Sequence, residues 1–415
     1  MLRLLAWLAG TLLLLVLAAG GLLLAGVDRQ PLVSRSATIS PLAVAQARWL
    51  LLTNDPRRLR SGDARQTPIP AALIDEGINY GATRFLHGRG ALVLSRDHAE
   101  IRLSLPLPGA LFFNCTATIR EAGGKPRLAA ARIGNLPVPV FLIDMAITAG
   151  IRYAGYQNEW QLANNAIREL RFEPDRQRLV VSYIWEPALL ERARAVAIDP
   201  EDLARIRSAH EMLAGLLDHK SATSRIPLPE LLTPLLDIAG SDQTANRRAA
   251  IFALAAFLSE RNLATLIPAA SDWPHIRPVA PTLLGRLDSA QHFVISAALA
   301  AWAGEPIADA IGLYKELADA RHGSGFSFAD LAADRAGTTF GEMLVKHPER
   351  LDQLLAKHFA DTDIAPALND LPEYLNAQQF QRQFGDTRSP AYRQLTGEIE
   401  RRIFALPLYR GLEKP

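Results

Sequence analysis

The chain has 415 residues, 49% of them apolar and 21% charged, with 45 basic against 43 acidic residues and a net charge of +2. That balance excludes a disordered chain and a polytopic membrane protein, and it lacks the concentrated basic face a nucleic-acid binder needs. One cysteine, Cys115, excludes an internal disulfide, a cysteine-based zinc site and an iron–sulfur cluster.

Residues 4–27 carry no charge and consist mostly of Leu, Ala and Gly. A helix needs about 20 apolar residues to cross a bilayer, whereas the apolar core of a cleaved signal peptide spans about 7–15. The expectation is a retained transmembrane helix, with residues 1–28 as membrane anchor. Small residues at Ala18-Ala19-Gly20 and Ala25-Gly26 leave cleavage open, and no cysteine follows to make a lipoprotein signal. Arg3 before the run and Asp28, Arg29 and Arg35 after it nearly balance the positive-inside rule. A short N-terminus usually stays cytoplasmic, so we expect a single-pass protein of a bacterial inner membrane with its bulk in the periplasm.

Residues 38–186 are expected to form an α+β unit. Ser40 as N-cap and Pro41 at the first position open a helix that ends before Asn54. A second helix is expected over 70–80. From residue 88 the period changes to two: 101–107 and 113–119 alternate as half-buried strands around Pro108-Gly109, and 128–133 is a third. A helix over 138–153 follows, then a hairpin of 170–173 and 179–185 around Pro174-Asp175. The expected architecture is one curved antiparallel sheet with helices against one face. His87 and His98 read as solvated, and Cys115 as a buried small hydrophobe.

From Glu186 onward the pattern is helical, with apolar residues three and four apart over 189–196, 200–217, 228–238 and 245–258. No fixed repeat appears, so a solenoid is not expected. Residues 187–415 are therefore expected to be a mainly α-helical bundle of eight or more helices. Near the C-terminus Tyr374, Phe380, Phe384 and Tyr392 are expected to anchor the packing.

Within that domain, residues 288–337 are the least generic. Asp288 and His292 are four apart, Glu316 and Asp319 three apart, and Asp330 and Asp334 four apart, so each pair shares a helix face. Their neighbours are apolar, which turns those faces inward. Buried acids need cations or a metal. His292, Glu316, Asp319 and Asp334 are the residue types that hold a divalent metal, and bundle cores host such sites. Helix capping by Asp288-x-x-Gln291 and Ser327-x-x-Asp330 accounts for two of the acids. Three readings stay open: a structural polar network, a ligand or metal site, and an active site. A serine hydrolase at Ser324 or Ser327 is disfavoured, because Gly323-Ser324-Gly325 follows a helix rather than a strand and its second Gly is one position too close.

The order Asp288-x-Ala290-Gln291-His292-Phe293, Gly312-x-x-Lys315-Glu316-x-x-Asp319 and Gly323-Ser324-Gly325-Phe326-Ser327-Phe328-x-Asp330-Leu331-x-x-Asp334-x-Ala336-Gly337 resembles the YfiM-type lipoprotein family of Gram-negative envelopes. The opening is also similar to VanZ-like membrane proteins. The resemblance covers an eighth of the chain. It implies an envelope location and that His292, Lys315, Glu316, Asp319, Asp330 and Asp334 act as a set, but no activity. Those proteins are small and lipid-anchored, unlike this chain. Two functions compete: a non-enzymatic envelope protein that binds a partner protein or a lipid, and a metal-dependent hydrolase acting on lipid or cell-wall material.

Overall fold

The computed structural model describes residues 26–54, 59–153, 155–187, 200–238, 242–259, 263–265 and 267–412. The chain divides into two compact units, Met1–Ala197 and Ile198–Pro415. The anchor expected at 4–27 lies, as far as Ala25, outside the described residues, as does the helix expected at 189–196. Among the described residues no helix is long and apolar enough to cross a membrane.

The first unit runs β1 (Val27–Asp28), α1 (Pro41–Thr53), β2 (Ala64–Pro70), α2 (Ala71–Leu86), β3 (Arg89–Leu94), β4 (His98–Leu107), β5 (Leu111–Ala122), β6 (Lys125–Ile133) and β7 (Leu136–Val138). It closes with α3 (Val140–Tyr153), α4 (Gln157–Ala166), β8 (Ile167–Glu173) and β9 (Arg178–Ile184). Ser40 caps α1, its hydroxyl accepting the Ala43 N–H at 3.1 Å. The Ser40 hydroxyl and N–H both donate to Glu76, which ties α1 to α2.

Instead of one sheet there are two. β3-β4-β5-β6-β7 form an antiparallel meander, with β1 paired to β5, and β2-β9-β8 form a separate antiparallel sheet. The second sheet exists because β2 pairs with β9 along its whole length, Ala64↔Ile184 to Pro70↔Arg178. The helix expected from residue 70 begins at Ala71, and Pro70 closes β2; Pro68 and Pro70 are tolerated because β2 is an edge strand, where a missing N–H costs no ladder bond. Cys115 is half-buried rather than buried, and that burial raises its thiol pKa.

The stretch after β1 is clamped to the meander. The Val33 N–H donates to Ser104 Oγ at 2.9 Å and the Leu32 N–H to Asn114 Oδ1 at 3.0 Å. Asn114 Nδ2 donates back to Asp28 Oδ2 and the Gln30 carbonyl, at 2.8 and 2.9 Å.

The second unit runs α5 (Pro200–Leu217), β10 (Arg225–Pro227), α6 (Leu228–Leu236), α7 (Gln243–Leu258), β11 (Ala280–Thr282), α8 (Leu287–Ala303), α9 (Glu305–His322) and α10 (Phe328–Lys346). It ends with α11 (Pro348–Leu355), α12 (Asp361–Ile364), α13 (Ala377–Phe384) and α14 (Pro390–Ala405). A large apolar core joins these helices, from Ala209 to Tyr409, with a smaller one of Ile206, Ala249, Leu263 and Ile267 beside it. Phe326, Phe328, Phe380, Phe384 and Tyr392 stack in one cluster, with Phe326 and Phe380 centroids 4.6 Å apart. Tyr374, expected in that cluster, is 63% exposed. It sits at φ +56°, where the chain crosses Gly325 and the Phe326 and Leu375 backbones bond to each other.

The centre of the unit is the α8–α10 crossing. A Cβ on Gly337 would stand 2.0 Å from the Phe293 carbonyl oxygen, and one on Gly341 2.1 Å from that of Ala297. The two glycines, one helical turn apart, let the backbones touch. A fully buried Arg247 braces the periphery: Nε donates to the Leu236 carbonyl at the end of α6, and Nη2 pairs with Asp352 at 2.5 Å.

Candidate functional site

Three helices bring the polar set together. α8 carries His292 and Ser296, α9 carries Lys315, Glu316 and Asp319, and α10 carries Asp330 and Asp334. The α8–α10 contact places His292, next to Phe293, opposite Asp334, one turn before Gly337. α9 approaches Asp334 through Gly312, where a Cβ would meet Asp334 Oδ2 at 2.8 Å.

His292 is at the centre. Its Nδ1 lies 3.1 Å from Asp334 Oδ1, and the Ser296 hydroxyl donates to that same oxygen at 2.7 Å. Its Nε2 lies 3.7 Å from Asp330 Oδ2 and 3.1 Å from Lys315 Nζ. Lys315 Nζ is also 3.5 Å from Glu316 Oε1 and 3.1 Å from Asp319 Oδ2. Glu316 is 1% exposed, and its Oε2 accepts the Ser327 N–H at 2.9 Å. Three carboxylate oxygens of this cluster are buried without a hydrogen-bond partner: Glu316 Oε1, Asp330 Oδ1 and Asp334 Oδ2.

All six expected residues therefore meet, but not in the expected roles. One ligand atom each from His292, Glu316 and Asp330 lie within 4.8 Å of one another, so this buried group could hold a metal ion. Asp330 is the third member in place of Asp319, which reaches only Lys315 among the set. Asp334 stands behind the ring, on the Nδ1 side, where a carboxylate fixes the tautomer and aim of a metal-binding imidazole.

The capping expectations are corrected in the same region. The N-cap of α8 is Arg286, and Asp288 accepts the Ser289 N–H and pairs with Arg286. Gln291 donates to the Leu258 carbonyl instead of closing a box. At α10 the Ser327 hydroxyl does accept the Asp330 N–H. The Ser327 N–H goes to Glu316, however, so the Asp330 carboxylate is left to face His292. Ser296, Gly312 and the Gly337–Gly341 pair were not among the expected site residues. The four-residue glycine spacing was the signal for the last two.

Charge explains the protonation of the cluster. Burial alone would lower the His292 pKa, but the charge of Asp334, its hydrogen bond and the charge of Asp330 raise it to about 9. Burial pushes Glu316 up to about 7, against the Ser327 N–H and the positive charges of Lys315 and His292. Burial likewise raises Asp330. The Lys315 ammonium, 3.1 Å from Nε2, opposes the rise of the His292 pKa.

A pH dependence follows for the ion-free protein. A His pKa of about 9 in the fold against about 6.5 unfolded gives stability that is complete below pH 6.5 and lost as pH rises through 9. The raised Glu316 pKa acts in the same sense between about 4.5 and 7, since the fold favours its neutral form. Thermal melts in chelator should show stability falling from pH 6 to 9.5, with His292 contributing on the order of 3 kcal/mol. His292→Gln should flatten the upper part of that profile. Wild-type stability that rises across this window would contradict the assignment.

The first unit holds a different feature, a groove of about 660 Å³ lined by Trp49, Pro68, Pro70, Leu92, Leu94 and Arg178 among others. Its one acid, Asp75, is already engaged by the Leu92 N–H and by Arg35. The titratable cluster of the second unit is the better candidate for chemistry. No family model, curated protein or solved structure matches this chain.

Proposed function

We propose that this chain is a non-enzymatic protein of the bacterial cell envelope, held in the inner membrane by residues 4–27, whose helical unit binds one divalent cation through His292, Glu316 and Asp330. The observation that carries the cation site is the convergence of those three side chains within 4.8 Å, with buried oxygens of Glu316 and Asp330 left without hydrogen bonds. Ligand bonds of about 2.0–2.2 Å place ligand atoms about 3–4 Å apart around one ion, so a small contraction suffices. A nitrogen with two carboxylates suits a transition metal better than calcium. The uncharged run at 4–27 supports the anchor, and the resemblance of residues 288–337 to YfiM-type proteins supports the envelope.

The test is metal content. Full-length protein, purified in detergent without chelator, should carry one transition-metal ion per chain. His292→Ala and Glu316→Gln should lose it, while Asp319→Asn should keep most of it. Wild-type protein that stays metal-free after exposure to zinc, manganese or iron would overturn the reading and leave a structural polar core. Hydrolysis of lipid or cell-wall material by the loaded wild type, absent in His292→Ala, would instead make the chain a metal-dependent hydrolase.

A further inference from the structure

We infer that α3 and α4 of the first unit form a lipid-contacting surface that lies in the bilayer interface beside the anchor. This inference rests on the membrane-anchored reading above.

α3 is a helix with no buried residue along its 14 positions. Its sequence holds one acid, Asp144, and one base, Arg152. Phe141, Leu142, Met145 and Ile147 are exposed, Phe141 by 67%, and Tyr153 and Trp160 continue the exposed set into α4. Single exposed apolar residues are ordinary, but at about 100° per residue Phe141, Leu142, Met145 and Tyr153 share one arc of about 120° around α3, with Ile147 outside it beyond Asp144, and an apolar face of this kind marks a contact surface. At 14 residues α3 is too short to cross a bilayer, which takes about 20. An exposed apolar helix too short to span a bilayer is accommodated at the interface, where Trp and Tyr are also enriched.

The occupant follows from where the uncharged run enters the fold. Val27 pairs with Phe113 and Ile133 with Cys115. β4 occupies the other edge of β5 there, so Val27 and Ile133 sit on one edge, two positions apart, about 7 Å. From Ile133 the chain turns through β7 and directly into α3. The connection from Val27 is not a free linker, because β1 pairing and the Asn114 and Ser104 hydrogen bonds hold residues 27–33 on the meander. Val138, the last residue of β7 before α3, pairs with Ala131 and so stands level with Ala117, four positions along β5 from Phe113 and one strand further out; Val27 and the start of α3 are thus about 14 Å apart on the same side of β5, and a bilayer that takes the run before Val27 is within reach of α3.

The test uses the full chain in a Cys115→Ser background, with single cysteines spin-labelled at Met145→Cys, at Leu14→Cys in the run and at Glu211→Cys on α5 as a water reference. Variants that keep the wild-type circular dichroism are reconstituted into vesicles of phosphatidylethanolamine and phosphatidylglycerol. Accessibility to oxygen and to a water-soluble nickel chelate is then measured. The Met145 label should show a severalfold higher oxygen-to-nickel ratio than the Glu211 label. Nickel access equal to that at Glu211 would overturn the inference, as solvent then covers α3. Protection from both reagents would also overturn it, because protein, another part of the chain or a second copy, then covers α3. The Leu14 label separates the two readings: lipid exposure at Leu14 alone keeps the anchor and refutes the α3 contact. Lipid exposure at Met145 alone keeps the contact and refutes the anchor.

Discussion

Gly341→Ala and Gly337→Ala should each lower the melting temperature of the helical unit by about 10 °C, from a loss of about 3 kcal/mol or more. The added methyl groups would stand 2.1 and 2.0 Å from backbone carbonyl oxygens of Ala297 and Phe293, and no side-chain rotation relieves a clash with backbone. The helices must part, and the tightly packed core between them opens. Glycine is otherwise poor in helix interiors by about 1 kcal/mol relative to alanine, so a neutral or stabilising effect is the default. Gly215 in α5 and Gly397 in α14 test that default, since a Cβ on either meets nothing within 4 Å. Thermal unfolding of the four variants should split them two and two. Gly341→Ala and Gly337→Ala melts at the wild-type temperature would show that the backbones are not in contact.

Asp352→Ala should destabilise the same unit by about 3–5 kcal/mol, while Arg247→Met should cost far less. Arg247 is fully buried, its Nη1 has no hydrogen-bond partner, and Asp352 is the carboxylate that pairs with its Nη2. Removing the acid leaves a guanidinium unpaired in the core. Removing the arginine deletes charge and desolvation together and leaves Asp352, already half-exposed, to water. Denaturant titration distinguishes the cases. Equal losses would mean that the arginine acts through its packing and its bond to the Leu236 carbonyl, not through the pair.

Much of this fold was legible in residue periodicity. The strict alternation at 101–107 and 113–119 gave β4 and β5. Spacing of three and four gave α5 at its observed bounds. The Ser40-Pro41 pair marked the start of α1. What failed was long-range. β2 carries two prolines and is a strand only because β9, over a hundred residues away, offers it an edge. Tyr374 is aromatic beside an aromatic cluster, but the Phe326–Leu375 bridge fixes its backbone and turns it out.

The candidate site shows the same division. Spacing placed each polar pair on one helix face, and all six residues do meet. Which acid faces Nε2 depends on side-chain partners that spacing does not encode. Asp330 faces the imidazole because Glu316, from another helix, has taken the Ser327 N–H that a reciprocal cap would use. Asp288, read as a cap, is held by its neighbour Arg286.

The glycine-lined contact of α8 and α10 also bears on which ions the cluster can admit. His292 and Asp330 ride on two helices whose backbones already touch, and Gly312 holds the third helix against Asp334. Such a frame has little freedom to widen. Calcium takes six to eight oxygens at about 2.3–2.6 Å in a pliant shell, whereas zinc-sized ions accept four ligands at about 2.0–2.2 Å. Ionic radius would therefore be discriminated by main-chain packing, and a glycine that touches no ligand would set the selectivity of the ring of side chains around it.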